Sequence, residues 1–286
     1  MKFAEIFRAK NKVFSLEFFP PKKDENLPAT FELIQDLKKL APDFMTVTYG
    51  AGGGTRSRTK EITAFIANEM EVISVAHLTC VGHTVAELDE VLDDLKSLGI
   101  NHILALRGDP LEGDEHFTPH PQGFACARDL VAHISKRGDF SIAVAGYPEG
   151  HPEAVSLDKD IAYLKEKVDA GAELIMTQLF FDAAKYFEFV NRARAIGISV
   201  PIVPGVMPIR TVKQVQRFTS MCGASIPSDI QDVLTRLQDD AEAVKAYGIE
   251  KAIELCTALL AGGAPGIHLF TLNKSHQVEK VMQAIR

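Results

Sequence analysis

Apolar and polar positions along this chain follow two periods, and the two take turns. Short runs rich in β-branched and aromatic residues occupy positions 13–19, 44–49, 73–78, 102–106, 140–145, 174–179, 201–203 and 266–270. Between them the apolar spacing changes to three and four residues, as at 33–40, 85–98, 161–170 and 186–196, which marks one-sided helices. The first seven runs recur at about 30–40 residues, the length of one strand–helix–strand unit. The gap before the eighth is longer and carries two further helical patterns, 226–237 and 241–261. Eight strands, each followed by a helix, predict an α/β fold of the (β/α)8 TIM-barrel type rather than a doubly wound sheet. The extra helices fall before the eighth strand, and the first residues, MKFAEIFRAKNKVF, read as a short amphipathic helix.

Alternation within the strands assigns faces. Phe14, Leu16 and Phe18 share one side and are expected under the helices, which turns Ser15, Glu17 and Phe19 into the barrel. The same reasoning sends Thr46, Thr48, His77, Arg107 and Gln178 inward. All lie at C-terminal strand ends, the face where barrel enzymes place their chemistry.

The 286 residues suit one barrel domain spanning 1–286, with 46% hydrophobic and 24% charged residues in the ordinary globular range. A net charge of −7 disfavours nonspecific binding to nucleic acid or to anionic membranes. The start lacks the apolar core of a signal peptide, and no apolar run approaches the ~18–20 residues of a membrane span, so a cytoplasmic protein is expected. Cys80, Cys126, Cys222 and Cys256 form no CxxC pair and are expected as thiols.

Glu17, followed by Phe18, Phe19, Pro20 and Pro21, has two readings. Poor solvation would raise its pKa and keep it protonated as a general acid; alternatively it pairs with a barrel Arg or Lys. Arg107, Gly108 and Asp109, before Pro110, read most simply as a strand-exit turn in which Arg107 and Asp109 pair. The run from Tyr49 through Gly50, Ala51, Gly52, Gly53 and Gly54 to Thr55 fails the GxGxxG pattern and reads as a loop at the barrel mouth. His77 and His151 lack metal-site spacing, and no metal is expected. Gln178 close to Phe180 and Phe181 suits a flat heteroaromatic ligand, with core packing of the two rings as the alternative.

These segments, in order, resemble the methylenetetrahydrofolate reductase family. The resemblance rests on SLEFFPPK from Ser15, VTYGA from Val47, HLTC from His77, ALRGD from Ala105 and YPEGHPEA from Tyr147. It continues with KVDAGA from Lys167, TQLFFD from Thr177, Pro204-Gly205 and FTLNK from Phe270. It implies an FAD-dependent enzyme that reduces 5,10-methylenetetrahydrofolate to 5-methyltetrahydrofolate, with NADH or NADPH as donor and ping-pong hydride transfer through flavin N5. It implies that Glu17 protonates the folate N10 and that Asp109 lies near flavin and pterin. Gln178, Gln214, Phe218 and Lys274 would contact folate, and Gln178 and Phe218 would meet nicotinamide in turn. The implied cofactor contacts are Thr48 for nicotinamide and Tyr49, Ala51, His77, Arg107, Gly108, Asp109, Ala127, Tyr147, His151, Ala154, Asp160 and Lys167 for FAD. A homo-oligomer is also implied. Cys126, Tyr163, Glu166 and Lys274 depart from the family pattern. Two rivals remain open: a flavin-free enzyme passing hydride directly from nicotinamide to the folate, and a folate- or flavin-binding subunit served by an electron-transfer partner.

Overall fold

The computed structural model describes residues 1–49, 56–110, 113–114 and 116–286, with Arg56 described by its backbone only. Its centre is a closed, all-parallel barrel in strand order: β1 (Val13–Phe18), β2 (Phe44–Val47), β3 (Ile73–Thr79), β4 (His102–Leu106), β5 (Ser141–Gly146), β6 (Leu174–Leu179), β7 (Ile202–Val206) and β8 (Gly266–Phe270). β1 pairs with both β2 and β8, so no strand edge is left open.

The barrel is surrounded by α2 (Leu27–Lys38), α3 (Arg56–Asn68), α4 (Val85–Ser97), α5 (Ala127–Arg137), α6 (Leu157–Asp169), α7 (Ala183–Ala195), α10 (Ala241–Ala261) and α11 (Ser275–Ile285). Their starts follow local chemistry. Thr84 and Glu87 form a reciprocal capping box on α4, with Glu87 N donating to Thr84 Oγ1 and Thr84 N to Glu87 Oε2. Ser156, Asp182 and Asp240 accept first-turn N–H groups of α6, α7 and α10. Among the described residues no helix is long and apolar enough to cross a membrane.

Alternation separates two apolar layers. Leu16, Phe18, Met45, Leu78, Ile103, Val144 and Leu269 face the helices in the main core. Val13, Phe44, Val75, Leu104, Ala143, Leu174, Met176 and Val203 fill the lower barrel interior. The first helix, α1 (Phe3–Ala9), closes that end: Phe3 is fully buried against Phe44 and His102, and its N–H donates to Ser141 Oγ. That plug leaves the opposite, C-terminal end of the barrel for a site.

β7 continues past Val203 through Pro204 and Gly205, beyond the expected boundary. A proline N cannot enter a ladder, yet here the opposing strand shifts register between Met176 and Leu179, so no N–H is demanded. Gly205 N instead donates to Thr177 Oγ1, and a Cβ at Gly205 would lie 2.3 Å from Thr177 O. After β7 come α8 (Val212–Cys222), absent from the expected elements, then α9 (Ser228–Leu237) and α10. Ile209, Val215, Ile230, Leu234 and Val244 give this insertion a small core of its own.

Candidate active site at the barrel mouth

Glu17 is the penultimate residue of β1, on the interior face, and is 5% exposed. Its Oε2 accepts from His268 Nε2 at 3.2 Å and from Thr46 Oγ1 at 3.4 Å, and His77 Nε2 lies 3.5 Å away. Behind His268, Nδ1 meets Ser15 Oγ at 2.9 Å. Burial pushes the Glu17 carboxyl up, but the His268 hydrogen bond and the histidine charges outweigh it and hold the group below its ordinary value. This corrects the expected rise. Histidines supply the stabilisation, and neither the expected barrel Arg nor Lys does. His77 is pushed down to about 4 by burial and is neutral at pH 7, so the His268 bond dominates. An ionised carboxylate only accepts, so His268 carries a proton on Nε2 and donates it toward Glu17, while its Nδ1 shares a hydrogen bond with the Ser15 hydroxyl. A continuous Ser15–His268–Glu17 chain follows.

The backbone around Glu17 is clamped from β8. Thr271 Oγ1 donates to Glu17 O at 2.6 Å, while Asn273 spans Phe19 with Nδ2 on its carbonyl and Oδ1 on its N–H. Leu272 and Asn273 adopt positive φ to allow this. Lys274 follows at the start of α11 and is exposed.

Arg107 lies past the end of β4. Leu104 and Leu106 face the interior, so Arg107 takes the parity of Ile103 and Ala105 and is not turned inward by alternation. It reaches the rim through the turn at Gly108, whose φ is +92° and whose Cβ would meet Val81 Cγ1 at 2.4 Å. Nor does Arg107 pair with Asp109: its guanidinium grips both carboxylate oxygens of Glu153, one at 2.8 Å. Asp109 remains within electrostatic reach of Arg107 and Tyr147.

The β5–α6 turn gathers more of the expected residues. Tyr147 packs edge-on against His151 at 4.7 Å, His151 N donates to Asp160 Oδ2 and Ala154 N to His151 O. Burial pushes the Tyr147 phenol up to about 12 and raises the Asp160 carboxyl. Lys167, 7% exposed, donates to Ala145 O at 2.6 Å, and burial lowers its ammonium to about 8 with Asp160 opposing. Ala127 is buried at the start of α5. There Cys126 contacts Asp129, Arg128 N donates to Tyr163 OH and the Arg128 side chain pairs with Glu166.

Across the mouth, Thr48 continues β2 by donating its N–H to Phe18 O, and Tyr49 OH meets His83 Nε2 at 3.1 Å. Ala51, with positions 50–55, lies outside the described residues. Gln178 sits on the interior face of β6 in the shifted register, with Oε1 accepting from Leu179 N. Gln214 and Phe218 are one turn apart on one face of α8. Both ends of the Gln214 carboxamide are engaged, by Arg210 N and Met207 Sδ. α8 is tied to the β5–α6 turn beyond its C-terminus, where Ser225 N donates to Glu149 and Gly223 rests near Pro152.

Three findings from comparison bear on this arrangement. A family model described as methylenetetrahydrofolate reductase matches residues 2–286. The chain belongs to the methylenetetrahydrofolate reductase family. Within that family, 5,10-methylenetetrahydrofolate reductase of Escherichia coli strain K12 is 40% identical over 261 residues, covering 91% of this chain and 86% of the relative. Methylenetetrahydrofolate reductase (NADH) 1 of Arabidopsis thaliana is 46% identical over 271 residues. The chain spans about half the length of the plant relatives it matches, 46% for the Arabidopsis protein, while covering 91% of itself. Among solved structures, a Clostridium thermocellum protein, described as binding two copies of 5-methyl-5,6,7,8-tetrahydrofolic acid, superposes with a TM-score of 0.60. It is 14% identical, covers 98% of this chain and 96% of its own, and supports the barrel fold.

The residues at the mouth fit a flat, anionic cofactor of the kind the family resemblance implies. His77 Nε2 is buried without an aligned hydrogen-bond partner, and Arg107 and Lys167 supply cations suited to phosphate. Sequence reasoning missed His268, Thr271, Asn273 and Glu153. For His268 a signal was present: it alternates with Gly266 and Phe270 on the interior face of β8, just as Ser15 alternates with Glu17. Among the described residues no His, Cys, Asp and Glu grouping has metal-holding geometry.

Proposed function

We propose that this chain is the catalytic barrel of a reductase that converts 5,10-methylenetetrahydrofolate to 5-methyltetrahydrofolate, with FAD held at the mouth and NADH or NADPH as donor. The observation that carries the reading is Glu17: a carboxylate on the interior face, backed by His268 and Ser15, in a chain belonging to this family. Glu17 takes up one proton from solvent in each turnover and passes it to the folate N10, and the His268 Nε2–H stabilises the carboxylate that is left. The N10–methylene bond then opens to a 5-iminium, and hydride addition at that carbon gives the methyl group. When bound, a flavin supplies the two-electron store between nicotinamide and folate. Arg107 and Lys167 hold its pyrophosphate, and His77 offers its free Nε2 to the ring. Asp109 accepts from the pterin edge. Gln178 and Phe218 receive nicotinamide and folate in turn, since a carboxamide can pair with either edge and a phenyl ring can stack on either plane.

Purified protein carrying a visible flavin band, with parallel double-reciprocal lines at several folate concentrations, is the expected result. Intersecting lines without flavin would favour direct transfer from nicotinamide. Glu17→Gln should slow folate reduction by about 10²–10⁴-fold while flavin reduction by NADH persists. Equal loss in both half-reactions would remove Glu17 from the proton-donor role.

A further inference from the structure

Arg107 and Glu153 come from two different rim turns, the exit of β4 and the turn between β5 and α6. The contact is two-pronged: Arg107 Nη1 and Nη2 each take one oxygen of the Glu153 carboxylate, while Nε donates to Gly108 O at 3.2 Å. The guanidinium also lies over the Phe117 ring at 4.7 Å. Thus the planar fork that best matches a phosphate is oriented and already engaged by a carboxylate. Lys167, buried and bonded to Ala145 O, adds a single point charge beside this fork and cannot replace its two-pronged geometry. The rim turns carry three carboxylates, Asp109 and Glu153 beside the fork and Asp160 beside Lys167, against the cations Arg107 and Lys167, with His151 and His116 near Glu153. An incoming pyrophosphate would meet this excess of negative charge unless one carboxylate withdrew. Glu153 is the one able to do so: its side chain is 55% exposed, whereas Arg107 is 24% exposed and fixed on three sides.

We propose that Glu153 is an intramolecular competitor for Arg107 and sets how tightly this barrel holds an anionic dinucleotide cofactor. The inference rests on the FAD reading above. Glu153 occupies the guanidinium until the pyrophosphate displaces it, then turns to solvent. A tethered carboxylate acts at an effective concentration on the order of millimolar, so isolated single-charge anions displace it poorly. A pyrophosphate anchored by its flavin and adenosine ends does so readily. Glu153 thereby favours a dinucleotide over small anions and promotes release.

The test is flavin released on dilution of purified holoprotein, read by fluorescence, for wild type, Glu153→Gln, Arg107→Gln and the double variant. Exposed ion pairs contribute up to about 1 kcal/mol, so Glu153→Gln should bind FAD about 2–5-fold more tightly. The gain should shrink with added salt and vanish in the Arg107→Gln background. Melting curves check that each variant folds, and Glu153→Ala repeats the measurement should Gln disturb the turn. Unchanged or weaker FAD binding in both Glu153 variants would make Glu153 a brace for Arg107 and overturn the proposal while leaving the cofactor reading intact. A wild-type protein that neither carries nor takes up FAD would overturn the cofactor reading, and this inference with it.

Discussion

Lys167 offers a measurable conflict between stability and binding. Its ammonium is buried, makes one hydrogen bond to Ala145 O and sits with its pKa lowered from 10.5 to about 8. Below pH 8 the folded protein must bury this charge, and the unfolded chain need not. Between pH 8 and 10.5 the unfolded state binds the extra proton, so the penalty is relieved as pH rises. At pH 7 the depression of about 2.5 units corresponds to about 3 kcal/mol. Lys167→Met keeps the stem and removes the charge, forfeiting one hydrogen bond of about 1 kcal/mol. The variant, freed of flavin, should therefore be about 2 kcal/mol more stable than wild type in urea at pH 7. Near pH 10 the charge penalty falls to about 1 kcal/mol or less, and the advantage should disappear. On the proposed cofactor reading, the same variant should lose about 10–100-fold in FAD affinity, the size of one charge-assisted hydrogen bond to the pyrophosphate. A variant less stable than wild type at pH 7, or an advantage independent of pH, would show that Lys167 is not a strained, ligand-awaiting cation.

Two further outcomes are expected. Asp109→Asn should raise the flavin midpoint potential in a spectroelectrochemical titration and weaken folate binding, because a carboxylate near the ring disfavours the anionic reduced form. Phe3→Ala should cost about 3–5 kcal/mol in thermal or urea unfolding, since Phe3 is fully buried in the plug that closes the lower barrel.

Periodicity alone was enough to read eight strands, their order and the inward direction of Glu17, His77, Thr46 and Gln178. Each of these depends on local alternation between a packed and an open face, which the residues encode within a few positions. Even the face of β1 follows from three apolar residues at every second place. Where regularity stops, so did legibility. Arg107 stands one residue beyond β4, and a glycine with positive φ, not alternation, sets its course. β7 runs through Pro204 because a register shift in its neighbour β6 removes the need for an N–H there, and no reading of β7 by itself shows that. α8 carries a one-sided stripe at helical spacing, Val212, Val215 and Thr219, but it packs on the insertion's own small core and adds no strand–helix unit to the repeat.

The charge state of Glu17 was beyond the sequence for a similar reason. Burial by Phe18, Phe19 and the two prolines argues for a raised pKa, and that contribution is present. Its opponent, His268, is 251 residues away and becomes a neighbour only when β8 closes the barrel against β1. Glu153 likewise reaches Arg107 across 46 residues through the packing of two rim turns. Local sequence determined which elements form and which faces they show, because those depend on short-range sterics and amphipathicity. Closure of the barrel decided which charges meet, because electrostatic partners are set by distance in space, and in a closed sheet the first and last strands are adjacent.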